Sequence, residues 1–121
     1  TYEAEKEEVQ KREEEISISG MHILVAEDNE LNLEIETYML EEQGVLVTPA
    51  KDGTEAVELF AKSEIGEFDL ILMDIMMPRM NGYEAAEAIR KMERKDAGEI
   101  PIFAVSANAF RMILRQVRKA E

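Results

Sequence analysis

The chain has no cysteine, which excludes disulfides and thiolate metal sites and fits a cytosolic location. No apolar run is long enough to span a bilayer, and no secretory apolar segment opens the chain. Its one histidine, His22, falls within an apolar run rather than on an exposed helix, so packing suits it better than phosphodonor or ligand chemistry. Positive charge is scarce: 14 Lys and Arg stand against 27 Asp and Glu, for a net charge of −13. Residues 1–15 hold seven Glu against Lys6, Lys11 and Arg12, and residues 111–121 are basic, so nearly all of the net charge falls on the middle of the chain. Such a surface repels phosphate backbones, which argues against direct nucleic-acid binding. What remains is 121 residues at 45% hydrophobic content, enough for one domain with a real core.

Within that domain, short apolar runs alternate with helical patterns. Met21–Ala26, Val45–Ala50, Phe68–Met73 and Ile100–Val105 read as strands, with Pro49 implying an edge or a strand end. Leu31, Ile35, Tyr38 and Met39 predict a helix from about Glu30 to Gln43, stopped by Gly44. Gly53 opens a second helix with Ala56, Val57 and Phe60 inward, and a third carries Ala85, Ala86, Ile89 and Met92 on one stripe. The order βαβαβαβ is that of a doubly wound parallel sheet. Residues 1–19 read differently. Glu7 with Lys11 and Glu8 with Arg12 suit a solvated helix. Glu5 and Arg12 interrupt the seven-residue spacing of Tyr2, Val9 and Ile16, so an acidic linker to an upstream module is expected there rather than a zipper.

Two of the strands end in acid. The first runs into Glu27 and Asp28, and the third into Asp74. Parallel strands deliver such side chains to the carboxyl edge of the sheet, where open α/β sheets bind ligands. Converging carboxylates repel one another unless a cation lies between them, and hard oxygen ligands favour Mg2+. Being adjacent, Glu27 and Asp28 point different ways, so one suits direct coordination and the other coordination through water. Asp74 could hold the ion with one oxygen and attack phosphorus with the other. Ser106, at the end of the fourth strand, could hydrogen-bond a phosphoryl oxygen, although a Ser there also caps a following helix. The Glu27–Asp28 pair also suits the dipole of the first helix, and Asn29 and Asn32 suit capping and lining it. Met73, Met76, Met77 and Met80 suit packing, and Arg79 and Tyr83 suit a solvated loop.

Three segments carry a family resemblance: Val25–Asn32 (VAEDNELN), Leu72–Gly82 (LMDIMMPRMNG) and Ala104–Phe110 (AVSANAF). Together they resemble the landmark segments of response-regulator receiver domains, especially those fused behind sensor kinases in hybrid histidine kinases. The resemblance runs from about Gly20 to Phe110 and implies a flavodoxin-like sheet in the order 2-1-3-4-5, with residues 20–121 as the receiver domain. Position by position, it implies Asp74 as phosphoacceptor, Asp28 as direct Mg2+ ligand and Glu27 as the acid acting through water. It implies Met76 as a ligand through its backbone carbonyl, Ser106 as the switch hydroxyl and Ala107 as the small residue beside it. Pro78 and Gly82 would shape the loop after the phosphoacceptor. The implied partner is a histidine kinase or histidine phosphotransfer domain, in the cytoplasm and without direct membrane contact, even where the parent chain is membrane-anchored. Dimerisation, which receivers often carry out through the fourth helix and fifth strand, stays open.

The resemblance breaks after Phe110. The family's fifth strand ends in Lys-Pro, and its Lys pairs with the phosphoryl group; here the only prolines are Pro49, Pro78 and Pro101, and Lys119 has the wrong context. Arg111–Lys119 resembles the family's last helix, so the remainder of the fourth helix and the fifth strand are expected to be missing between Phe110 and Arg111. If the molecule truly lacks them, Ile102–Val105 becomes an exposed apolar edge that invites strand pairing or swapping, a liability that favours the other explanation, a segment present in the molecule but disordered. Two rival readings stand beside the phosphoacceptor. A pseudo-receiver scaffold that takes no phosphate is favoured by the missing Lys. An Mg2+-dependent aspartyl phosphohydrolase of the haloacid-dehalogenase type is disfavoured, because it needs a second Asp where Met76 stands.

Overall fold

The computed structural model describes residues 17–77 and 80–116. The acidic segment 1–15, Pro78, Arg79 and Lys119 lie outside the described residues. Four strands, β1 (His22–Ala26), β2 (Leu46–Ala50), β3 (Leu70–Asp74) and β4 (Ile102–Val105), form one parallel sheet in the order β2-β1-β3-β4. Four helices alternate with them: α1 (Glu30–Glu42), α2 (Gly53–Lys62), α3 (Gly82–Arg90) and α4 (Ala107–Gln116). This is the flavodoxin-like order expected, without a fifth strand among the described residues. Pro49 lies in the edge strand β2, where its missing N–H costs no ladder bond on the open side.

Strand alternation sorts the core into two layers. Leu24, Ala26, Ile71 and Met73 face α2 and α3, where Ala56, Phe60, Ala85 and Ile89 bury the stripes predicted for those helices. Ile23, Val25 and Leu72 face the other way, toward Leu40 of α1 and Phe110 and Leu114 of α4.

Helix α1 differs from its predicted face. Leu31 and Tyr38 are exposed, and the buried positions are Glu36 and Leu40, with Leu33 and Met39 packed against the core. Apolar residues occur on several sides of this helix, so periodicity alone does not select the inward one. Its end is as expected: Gly44 takes φ +83, and the N–H groups of Gly44 and Val45 donate to the carbonyls of Glu41 and Leu40. At the other end of the chain, the two pieces on either side of Phe110 form one continuous helix. It follows β4 directly and packs beside α1. The sheet thus stops at β4 among the described residues, with Phe103 half exposed at its edge.

Candidate functional site: an acid cluster at the carboxyl edge

The same alternation that sorts the core builds the site. Ile23, Val25 and Glu27 form one row along β1, and Leu70, Leu72 and Asp74 form the matching row along β3. Each row begins apolar and ends in a carboxyl group at the carboxyl edge. Asp28, one residue further on, lies on the exposed side. Glu27, Asp28 and Asp74 offer ligand oxygens that all lie within 4.8 Å of one another. An octahedral Mg2+ with oxygens at about 2.1 Å needs oxygen–oxygen separations of roughly 3–4 Å. The donor set therefore fits a hard divalent cation in its chemistry, and a span of up to 4.8 Å suits a site in which one of the acids acts through water.

Local structure holds these groups in place. Asn29 caps α1 by accepting from the Asn32 N–H at 2.9 Å, and its own N–H donates to Glu27 Oε1 at 3.2 Å. The Met76 N–H donates to Asp74 Oδ1 at 3.0 Å, in a turn that leaves the Met76 side chain exposed. A capping box at Asn81 and Glu84 starts α3. At Gly82 a Cβ would meet the Asp74 carbonyl oxygen at 2.7 Å, so only glycine lets α3 begin this close to the end of β3.

The electrostatics record the crowding of acids. Burial pushes the Glu27 carboxyl up to about 7; the Asn29 N–H pulls it down, while Asp74 and Asp28 push it further up. Sequence reasoning missed a fourth acid, Glu36, which is buried on α1. Burial first, and then the charges of Glu27 and Asp74, raise it to about 8, opposed by Arg111. Glu36 lines a cavity of about 10 Å³ together with Glu27, Asp74, Val105 and Phe110, but it stands outside the three-acid cluster. A signal for it existed: Leu33, Glu36 and Leu40 share one helix face, with the acid in the middle of an otherwise apolar stripe.

The other predicted residues are placed as follows. In the register of β3 and β4, Asp74 pairs with Val105, so Ser106 follows directly beside the acid site. Its hydroxyl accepts from the Ala109 N–H at 3.2 Å and so caps α4. His22 packs as expected: Nδ1 meets the Glu67 carbonyl, Nε2 meets Thr48 Oγ1 at 2.6 Å, and the ring lies 4.5 Å from that of Phe68. Met73 and Met77 are buried in the core. No helix among the described residues is long and apolar enough to cross a membrane.

Known proteins are similar to this chain in sequence and in fold. Hybrid signal transduction histidine kinase I of Dictyostelium discoideum is 42% identical over 103 residues, which is 79% of this chain and 6% of that protein. This chain thus spans only a small part of the length of such relatives. The receiver domain of a sensor histidine kinase from Pseudomonas aeruginosa PAO1, solved with a magnesium ion coordinated in its active-site cleft, is 37% identical. It superposes with a TM-score of 0.65 over 75% of this chain and 70% of that one. The receiver domain of the response regulator Ssk1 of Saccharomyces cerevisiae, solved in complex with the histidine phosphotransfer protein Ypd1, is 36% identical, with a TM-score of 0.52 over 58% of this chain and 46% of that one. Residues 23–121 match the family model described as the response regulator receiver domain. With its parallel sheet and its acids at the carboxyl edge, the chain belongs to the response regulator receiver domain family.

Proposed function

We propose that this domain is the phosphoacceptor of a two-component phosphorelay, with Asp74 receiving the phosphoryl group from a phosphohistidine. The observation that carries the reading is the convergence of Glu27, Asp28 and Asp74 within 4.8 Å at the carboxyl edge. Asp74 is only partly buried, so an incoming phosphoryl group can reach it. In the step itself, an Asp74 carboxylate oxygen forms a bond to phosphorus as the phosphorus–nitrogen bond breaks, and the leaving imidazole nitrogen keeps the electron pair. Asp28 and Asp74 would hold Mg2+ directly, with the Met76 carbonyl, and Glu27 through water. The bound ion supplies charge neutralisation for the phosphoryl oxygens.

Met76 N–H fixes one Asp74 oxygen and so leaves the other as the nucleophile. Ser106 serves as the switch hydroxyl: its oxygen accepts from the Ala109 N–H while its O–H remains available to donate to a phosphoryl oxygen, which ties occupancy of the site to the first turn of α4. The donor is a histidine kinase or a histidine phosphotransfer domain, the latter supported by the Ypd1 complex of the Ssk1 receiver. Residues 1–19 act as the tether to an upstream module.

Incubating the 121-residue chain with Mg2+ and acetyl phosphate, followed by intact-mass measurement, tests this. The expected result is one added phosphoryl group on the wild type and none on Asp74→Asn. An unlabelled wild type would indicate a scaffold, and turnover without lasting label a hydrolase.

A further inference from the structure

Glu36 has an unusual place for an acid. Only 4% of it is exposed, and it stands on α1 between Leu33 and Leu40, on the face turned to the sheet. It lines a cavity of about 10 Å³ together with Glu27 and Asp74, two of the acids of the cation cluster. The other residues around that cavity are apolar, among them Leu72, Val105 and Phe110. The only polar side chains that meet this space are therefore carboxyl groups, delivered by the end of β1, the end of β3 and the middle of α1.

Glu36 is not itself a member of the cluster. It stands outside the acids whose oxygens lie within 4.8 Å of one another, and its carboxyl makes no hydrogen bond among the described residues. Its electrostatics still record the same neighbours: after burial, the charges of Glu27 and Asp74 act on it, opposed by Arg111. What can join these groups follows from the size and chemistry of the space between them. A cavity of about 10–15 Å³ holds one water, provided that it finds two to four polar partners. Ionised carboxylates only accept hydrogen bonds, so carboxyls that share a small space need a donor between them. One water supplies two such donors. A second Mg2+ does not suit the same space, since it needs about six oxygens around it and most of the walls are apolar.

We propose that Glu36 is a positioning residue of the cation site, joined to Glu27 and Asp74 by one water held in the cavity that the three acids line. The inference rests on the cation-binding part of the reading above and adds an acid behind the cluster. The N–H groups of Asn29 and Met76 each fix one oxygen of Glu27 and Asp74. The water adds a restraint on the same carboxyls from the side of α1. Partners of this kind, which touch the ligands and not the ion, set how well the ligands are aimed.

Calorimetry with Mg2+ alone, together with urea unfolding in chelator, tests this on the 121-residue chain. Glu36→Leu nearly keeps the volume and removes the polar atoms. It should weaken Mg2+ binding by about tenfold, while the metal-free chain is at least as stable as the wild type, because a buried acid is gone. Glu36→Gln, which can still bond a water, should keep most of the affinity. A crystal structure of the wild type with Mg2+ should show a water within about 3.2 Å of Glu36 and of Glu27 or Asp74, an arm that needs no variant to fold. Unchanged Mg2+ affinity in Glu36→Leu overturns the proposal, and so does a dry cavity in the crystal. Equal losses in Glu36→Leu and Glu36→Gln overturn it by assigning the effect to charge alone. A joint fall of affinity and metal-free stability in Glu36→Leu overturns it by assigning the residue a merely structural role. A wild type that binds no Mg2+ overturns the cation site itself, and this proposal with it.

Discussion

The two faces of the sheet are built differently. Under α2 and α3 the packing is apolar and closed, with Phe60, Ile71, Ala85 and Ile89 fully buried. The charged group at its rim is fully engaged: Arg94 lies 4.4 Å from the centre of the Phe60 ring, pairs with Asp96 at 2.6 Å, and donates to the carbonyls of Phe60 and Ser63. Under α1 and α4 the packing is looser and more polar. Glu36 is buried there, Arg111 Nε and Gln43 Oε1 lack partners, and an apolar cleft of about 200 Å³ opens among Leu40, Leu70, Phe103 and Leu114. The acid rows of β1 and β3 run along this second face. The difference teaches that the side of the sheet serving the site keeps polar groups and free volume, while the other side supplies the cohesion.

The largest effect that could break this comparison comes from truncating one anchor on each face. Phe60→Ala should cost about 4 kcal/mol, because its site is closed on all sides; Leu114→Ala should cost about 2 kcal/mol, because it already borders open volume. Urea unfolding of both variants measures the gap, and equal losses would erase the distinction.

A somewhat smaller effect concerns pH. Glu36 has an ordinary carboxyl value of 4.5 and is raised to about 8 in the folded domain, chiefly by burial. Between those values the unfolded chain has released a proton that the folded chain still holds, so each rise in pH favours unfolding. Without divalent cation, the wild type should lose stability from about pH 4.5 to about pH 8. Glu36→Gln should retain more at pH 8, by on the order of 3 kcal/mol. Urea titrations at several pH values in chelator would show the same slope in both proteins if the buried acid were not the cause.

The smallest effect tests the free volume directly. Leu70→Phe, which adds bulk at the cleft, should be neutral or stabilise by about 1 kcal/mol. Ala85→Val on the opposite face should destabilise by about 1–3 kcal/mol through overpacking. Melting temperatures that move in the same direction for both would show that the two faces pack equally well.

Legibility in the sequence follows the same division. The stripes of α2 and α3 could be read because their apolar residues occupy a single side, and the strands because each run is short and bounded. The acid pair and Asp74 could be read because a strand ending in acid has a fixed destination at the sheet edge. The inward face of α1 could not be read, since Leu31 and Tyr38 look as apolar as Leu33 and Leu40. Glu36 could be read only once that face was known, because its place in the stripe of Leu33 and Leu40 marks it as buried only if this stripe is the inward one, and Arg111 looked like part of a basic tail. The hydroxyl of Ser106 had two plausible uses, and the geometry here shows it capping α4.

By itself, then, the sequence determined the alternation of strands and helices, the carboxyl edge and the three acids delivered to it, because these depend on periodicity and chain order within a few residues. Only the tertiary structure decided which side of α1 faces the sheet, that Glu36 is buried behind the cluster, and that Arg111 is carried from α4 to the same place. Those outcomes depend on contacts between residues as far apart as Asn32 and Arg111. Burial and charge at such contacts are properties of the packed molecule and not of any local stretch of chain.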